Sequence, residues 1–185
     1  MQRIVIIGNG GSGKTWLSLK LANVLNSKVC HLDRLFWEPG GFNKKRPKDL
    51  VYREIEQMSQ GPEWICEGVF GELAQLALPR ATDLVFLDKL AEECVDSLLH
   101  RGPFGNLEDP NMEASLTPEG KEEITRSFEA LIQWSREYYD RTDLRSKVGH
   151  QSIFDLFEGK KFKLLDRPSM TEFVSSCHFA RSSST

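Results

Sequence analysis

Residues 8 to 15 read Gly-Asn-Gly-Gly-Ser-Gly-Lys-Thr, which is the spacing G-x-x-x-x-G-K-[ST]. Glycines at such spacing let successive backbone N–H groups turn into one concavity that holds phosphate oxygens. A helix starting there adds its positive N-terminus. The pattern predicts that Gly8, Asn9, Gly10, Gly11, Ser12, Gly13, Lys14 and Thr15 cradle the phosphates of a purine nucleoside triphosphate. Lys14 would reach the β- and γ-phosphates, and the Thr15 hydroxyl would ligate magnesium.

Magnesium at a phosphate loop takes an acid from a neighbouring strand end, directly or through water. Three acids follow short apolar runs: Asp33, Glu67 and Asp88. Asp88 closes the most apolar run, Leu84-Val85-Phe86-Leu87, but an acid just before a helix also serves as its cap. Glu67 precedes Gly68, where a ligand can approach the backbone closely, and is favoured for magnesium. Asp33 is the candidate to orient or deprotonate an acceptor hydroxyl, with loop capping as its other reading. Phosphoryl transfer asks the protein mainly for positioning and charge neutralisation. Arg101, Arg126, Arg136, Arg141 and Arg145 lie around one irregular segment, Arg101 where a helix meets it and Arg141 and Arg145 where the following long helix runs out. Lys14, Asp33, Arg101 and Arg141 are therefore the candidate catalytic residues, although arginines also occur simply as solvated surface charges.

The elements that would hold these residues alternate between β-rich runs and helical periodicity, the mark of a parallel sheet covered on both faces. Ile4–Ile7 is a continuous β-branched run suited to a central strand. Further strands are predicted at Val29–Leu32, Trp64–Cys66, Leu84–Leu87 and Phe162–Leu165. Helices are predicted at Lys14–Leu25, Asp49–Ser59, Ala91–His100, from Thr117 to about Tyr139, and at Met170–Cys177. Thr117 and Pro118 make a helix start. The Pro39-Gly40-Gly41 and Pro47 positions punctuate a loop. The stretch 102–117 is rich in Gly, Pro, Asn and Asp and long for a connection, so it reads as a lid. The expected organisation is one domain over 1–179, with the lid at approximately 102–117 and a flexible tail at 180–185.

Other features have plainer readings. Lys44-Lys45-Arg46-Pro47-Lys48 is a solvated loop or a seat for an anionic acceptor. Phe36 and Trp37 wall an acceptor pocket or cover the sheet edge. Trp134, Tyr138 and Tyr139 fall at helical spacing and read as core. His100, His150 and His178 lack metal-ligand spacing.

The chain has 185 residues, 39% hydrophobic and 28% charged, a size and composition suited to one folded domain. Its formal net charge of -3 argues against non-specific nucleic-acid binding, which needs a basic surface. No apolar run reaches membrane-spanning length, and residues 1–7 lack the features of a signal peptide. Cys30, Cys66, Cys94 and Cys177 are widely spaced, which predicts reduced thiols and a cytoplasmic protein. No interface pattern stands out in the sequence.

No N-K-x-D reads guanine, no L-S-G-G-Q signature occurs, and the chain is short for an AAA module. Gly8–Thr15, the run from His31 through Trp37 to Gly40, Trp64–Gly68 and Arg80–Asp88 together resemble nucleoside-monophosphate-kinase-like P-loop proteins. More closely, they are similar to the group labelled adenylate-kinase-related or "DNA topology modulation" proteins. The similarity covers roughly the first hundred residues well and the rest loosely.

The resemblance implies a three-layer α/β P-loop NTPase fold, with a five-stranded parallel sheet in the order 2-3-1-4-5 and a lid insertion. It implies magnesium and acceptor on the strand 2 and 3 side, tilting the choice to Glu67 over Asp88. It matches Arg101 to the arginine that opens a kinase lid. It also places Asp166-Arg167-Pro168 near adenine, which makes Arg167 a nucleotide-binding candidate. The chain departs from adenylate kinases at Glu67-Gly68-Val69-Phe70-Gly71, where those carry Asp-Gly-Phe-Pro-Arg, so the arginine that grips a nucleoside monophosphate is missing there. Neither the charge balance nor any DNA-binding motif supports a role on DNA. The expected function is transfer of the γ-phosphoryl of Mg-ATP to a small-molecule or nucleotide acceptor. The alternative is an ATP-binding regulatory switch, or a plain ATPase.

Overall fold

The computed structural model describes residues 2–38, 44–105 and 112–182. The Pro39-Gly40-Gly41 turn, residues 106–111 of the expected lid and 183–185 of the expected tail lie outside the described residues.

Five parallel strands form one sheet in the order β2-β3-β1-β4-β5. They are β1 (Arg3–Gly8), β2 (Val29–His31), β3 (Trp64–Gly68), β4 (Asp83–Leu87) and β5 (Lys160–Leu164). The architecture and the strand order are those expected. The three central strands are continuous apolar runs because helices cover both of their faces. Alternation along β1 assigns the layers. Val5 and Ile7 join Trp64, Cys66, Leu84 and Phe86 on one face, while Ile4 and Ile6 join Ile65, Val85 and Leu87 on the other.

The second face is covered by α1 (Lys14–Leu25) and α9 (Arg167–Ser182), through Leu17, Leu21, Met170 and Phe173. The first is covered by α2 (Leu32–Phe36), α3 (Lys48–Ser59), α4 (Gly71–Ala77) and α8 (Lys147–Leu156), through Leu32, Ile55, Leu73 and Ile153. Beyond the sheet, α5 (Ala91–Arg101) and α7 (Pro118–Arg136) pack on each other through Val95, Leu98 and Ile132. β5 is an edge strand, and its exposed lysines at 160, 161 and 163 are the usual guard against edge pairing.

The structure adds elements that the periodicity did not predict. Leu32 starts α2 instead of ending β2, and α4, α8 and the one-turn α6 (Met112–Ser115) lie in stretches read as connections. The long helix is α only as far as Arg136 and tightens to a 3₁₀ turn over Glu137–Tyr139. Its start is as expected, with the Thr117 hydroxyl accepting from the Gly120 N–H at 3.2 Å. At the C-terminus, α9 runs to Ser182, past residue 180 where the tail was expected to begin. Cys66, Cys94 and Cys177 are buried, Cys30 is half-buried, and all four are free thiols. No helix among the described residues is long and apolar enough to cross a membrane.

Candidate active site

The loop between β1 and α1 folds as a phosphate loop requires. Gly11 has φ 78°, and a Cβ placed there would stand 2.2 Å from the Cys94 carbonyl oxygen, so only glycine fits. Asn9 anchors the loop, donating through Nδ2 to the Ser135 carbonyl at the end of α7 (2.9 Å) and accepting from the Gly10 N–H (2.8 Å). Lys14 is buried, and its Nζ donates to the Gly8 and Asn9 carbonyls at 3.1 and 2.7 Å. The ammonium thus stays over the loop it would serve, held by carbonyls that a phosphate can replace.

Thr15 lies in the first turn of α1, and its hydroxyl donates to Glu67 Oε1 at 3.0 Å. Glu67 is only 3% exposed, and its other oxygen, Oε2, is buried with no hydrogen-bond partner. A carboxylate oxygen left without a donor inside a protein costs about 1–3 kcal/mol or more. A hard cation beside the Thr15 hydroxyl would satisfy it, so these residues fit magnesium. Among the described residues no group of three or more His, Cys, Asp or Glu could hold a metal unaided.

The other candidate acid sits elsewhere. Asp88 forms an ion pair with Lys147 of α8 and a second with Lys163 of β5 at 3.5 Å. Nor does it cap α5, whose N-terminus has no side-chain cap.

Asp33 lies in α2, immediately beyond β2. Its Oδ1 is buried without a partner. Burial pushes its carboxyl up from 3.8 to about 6, against the pull of Lys14 and with the repulsion of Glu67. The Val69 backbone favours its charged form. Arg101, at the end of α5, is within electrostatic reach: desolvation lowers its pKa and the Asp33 carboxylate opposes this. Lys14, Glu67 and Arg101 thus all act electrostatically on Asp33, although the four come from four different elements.

Arg141 is placed differently. Its guanidinium lies 3.7 Å over the Trp134 ring, pairs with Asp143 at 3.2 Å and donates to the Arg145 carbonyl at 3.2 Å. Its Nε is buried with no partner, and desolvation lowers its pKa. Trp134, read from spacing as core, is the platform for this arginine. Arg167, the first residue of α9, stacks 3.9 Å over Trp16, and Met170 packs against Gly13. The β5–α9 junction therefore flanks the end of the phosphate loop.

On the β2/β3 side, Phe36 packs on Phe70 at 4.2 Å and on Trp37 at 4.7 Å. Both Phe36 and Trp37 are partly buried against the core. Arg145 lies 4.3 Å over Phe70 and pairs with Glu72. Within the basic stretch, Arg46 is engaged by Glu54 at 3.1 and 2.5 Å, and Lys45 sits 5.6 Å over Phe36.

Sequence reasoning missed two groups that touch this site. His31 Nδ1 lies 2.6 Å from Glu67 Oε1. His31 ends β2 and Glu67 lies opposite it in β3, a pairing that the strand order and register bring about. His150 is fully buried between the Tyr138 hydroxyl, 2.8 Å from Nδ1, and the Val69 carbonyl, 3.0 Å from Nε2. No local pattern announces that contact.

No protein-family model matches the sequence, and no curated protein matches it. Solved structures do. A shikimate kinase from Bacteroides thetaiotaomicron is similar at 16% identity and TM-score 0.48, over 98% of each chain. A gluconokinase from Sinorhizobium meliloti 1021 is similar at 13% identity and TM-score 0.48, over 97% of each chain. A sugar kinase from Janibacter sp. HTCC2649 is similar at 15% identity and TM-score 0.41, over 80% of this chain and 99% of that one.

Proposed function

We propose that this chain is an ATP-dependent phosphotransferase that moves the γ-phosphoryl group to a hydroxyl of a small-molecule or nucleotide acceptor on the β2/β3 side. The observation that carries the reading is a pair of buried, unpartnered carboxylate oxygens, Glu67 Oε2 and Asp33 Oδ1, beside a phosphate loop. Each is a vacant acceptor of the kind that a cation and a hydroxyl proton would fill.

The loop N–H groups and Lys14 bind the triphosphate, with Lys14 exchanging the Gly8 and Asn9 carbonyls for phosphate oxygens. Thr15 and Glu67 hold magnesium, which supplies charge neutralisation to the phosphates. Asp33 accepts the proton of the acceptor hydroxyl as its oxygen bonds to the γ-phosphorus and the bond to the departing ADP breaks. A carboxyl raised to about 6 is ionised at neutral pH yet more basic than an ordinary aspartate. Arg101 offsets charge on the transferring group from α5. Arg141 does so from beyond α7, on leaving Asp143. Arg167 and Trp16 flank the adenine.

The test uses a fluorescent ATP analogue and a panel of hydroxylated acceptors. Lys14→Ala should weaken Mg-ATP binding at least tenfold, and the correct acceptor should stimulate ADP release in a manner lost in Asp33→Asn. Binding that is indifferent to Lys14→Ala would refute the proposal. ATP binding with no acceptor response, together with nucleotide-dependent association with another protein, would favour a switch.

A further inference from the structure

We infer that His31 is the positioning residue for Glu67, fixing the carboxylate so that Oε2 alone faces the metal; this rests on the reading of Glu67 as the magnesium acid. Glu67 Oε1 receives two donors, Thr15 Oγ1 at 3.0 Å and His31 Nδ1 at 2.6 Å. A carboxylate can only accept, so Nδ1 carries the proton in this contact. The contact is built into the sheet. β2 ends at His31, β3 carries Glu67 opposite it in parallel register, and the chain leaves β2 directly into α2.

The Thr15 hydroxyl is itself a proposed metal ligand, so its bond to Glu67 cannot be the sole orienting contact without tying the two ligands to each other's motion. His31 supplies an anchor from outside the pair. With Oε1 held from both sides, rotation of the carboxylate about its last bond would break two hydrogen bonds. Oε2 is left buried, with no partner. The His31 side chain is 17% exposed and that of Glu67 4%, so water competes little for the contact. Partners that orient a metal's ligands in this way are typically worth 10- to 100-fold in metal affinity.

The experiment measures affinity for a non-hydrolysable ATP analogue with magnesium and with EDTA, taking the ratio as the magnesium increment. In the unaltered protein the increment should be clear, and Glu67→Gln should remove it. His31→Leu should cut it about tenfold, leaving the EDTA affinity unchanged. His31→Asn, whose amide nitrogen stands near the position of Nδ1, should restore most of it. His31→Gln, whose donor falls one bond further out, should not. The Asn and Gln pair keeps the test decisive if the leucine variant does not fold. Equal increments in Asn and Gln, an undiminished increment in Leu, or a loss equal with and without magnesium would each overturn the inference. If the unaltered protein itself shows no increment, and Glu67→Gln is silent, then the role of Glu67 fails and the inference falls with it.

Discussion

Tyr138, His150 and the Val69 carbonyl form a buried chain of hydrogen bonds. The Val69 carbonyl can only accept, so His150 Nε2 carries the proton, and Nδ1 accepts from the Tyr138 hydroxyl. The peptide on the other side of Val69 faces Asp33, whose charged form it favours. Burial holds His150 neutral, pulling it down from 6.5 to about 3. Removing the tyrosine hydroxyl leaves a buried imidazole nitrogen with no donor. Tyr138→Phe should therefore cost about 1–3 kcal/mol despite its nearly unchanged volume, seen as a lower urea midpoint at constant m-value. A variant as stable as the parent would mean that water replaces the hydroxyl and the chain is not closed.

Among elements, the start of α4 meets the segment that leads into α8 more closely than any side chain allows. A Cβ on Gly71, the first residue of α4, would lie 2.0 Å from the Leu144 carbonyl oxygen and 2.8 Å from Ile153 of α8. Helix propensity alone predicts that Gly71→Ala stabilises by up to about 1 kcal/mol. The clash wins, because the obstacle is backbone in the segment that carries Arg141 and Arg145. The variant should melt several degrees lower, and the stacking of Arg141 on Trp134 should be disturbed, read as altered tryptophan fluorescence. Such contacts explain what was legible in the sequence and what was not. β1, the phosphate loop and α1 are local: Ile4–Ile7 and Gly8–Thr15 carry their own pattern, and Thr117-Pro118 announces α7. Helices α2 and α4 run only from Leu32 to Phe36 and from Gly71 to Ala77, too short for a helical period to assert itself, and α8 begins at a lone Ser146 cap. Asp88 followed the most apolar strand, yet Lys147 and Lys163 occupy it from distant parts of the chain. Local pattern could nominate the acids but not their partners.

At the scale of the whole molecule, two buried groups make opposite demands on pH. His150, at about 3 when folded against 6.5 ordinarily, contributes stability that is present above 6.5 and lost as pH falls toward 3. Asp33, at about 6 when folded against 3.8 ordinarily, behaves in the reverse sense. Its contribution is complete below 3.8 and disappears as pH rises through 6. Between about 6 and 3.8 the two slopes, each at most about 1.4 kcal/mol per pH unit, oppose each other, so this pair leaves the fold nearly indifferent to acid there. Asp33→Asn removes one side of the balance. The variant should be more stable than the parent at pH 7 to 8, where the parent carries a desolvated charge, and that advantage should shrink steadily toward pH 4. Urea midpoints of both proteins at half-unit steps give the difference curve directly. A difference independent of pH would mean that Asp33 titrates alike in the folded and unfolded chains, and that its burial imposes no penalty on the charge its proposed role requires.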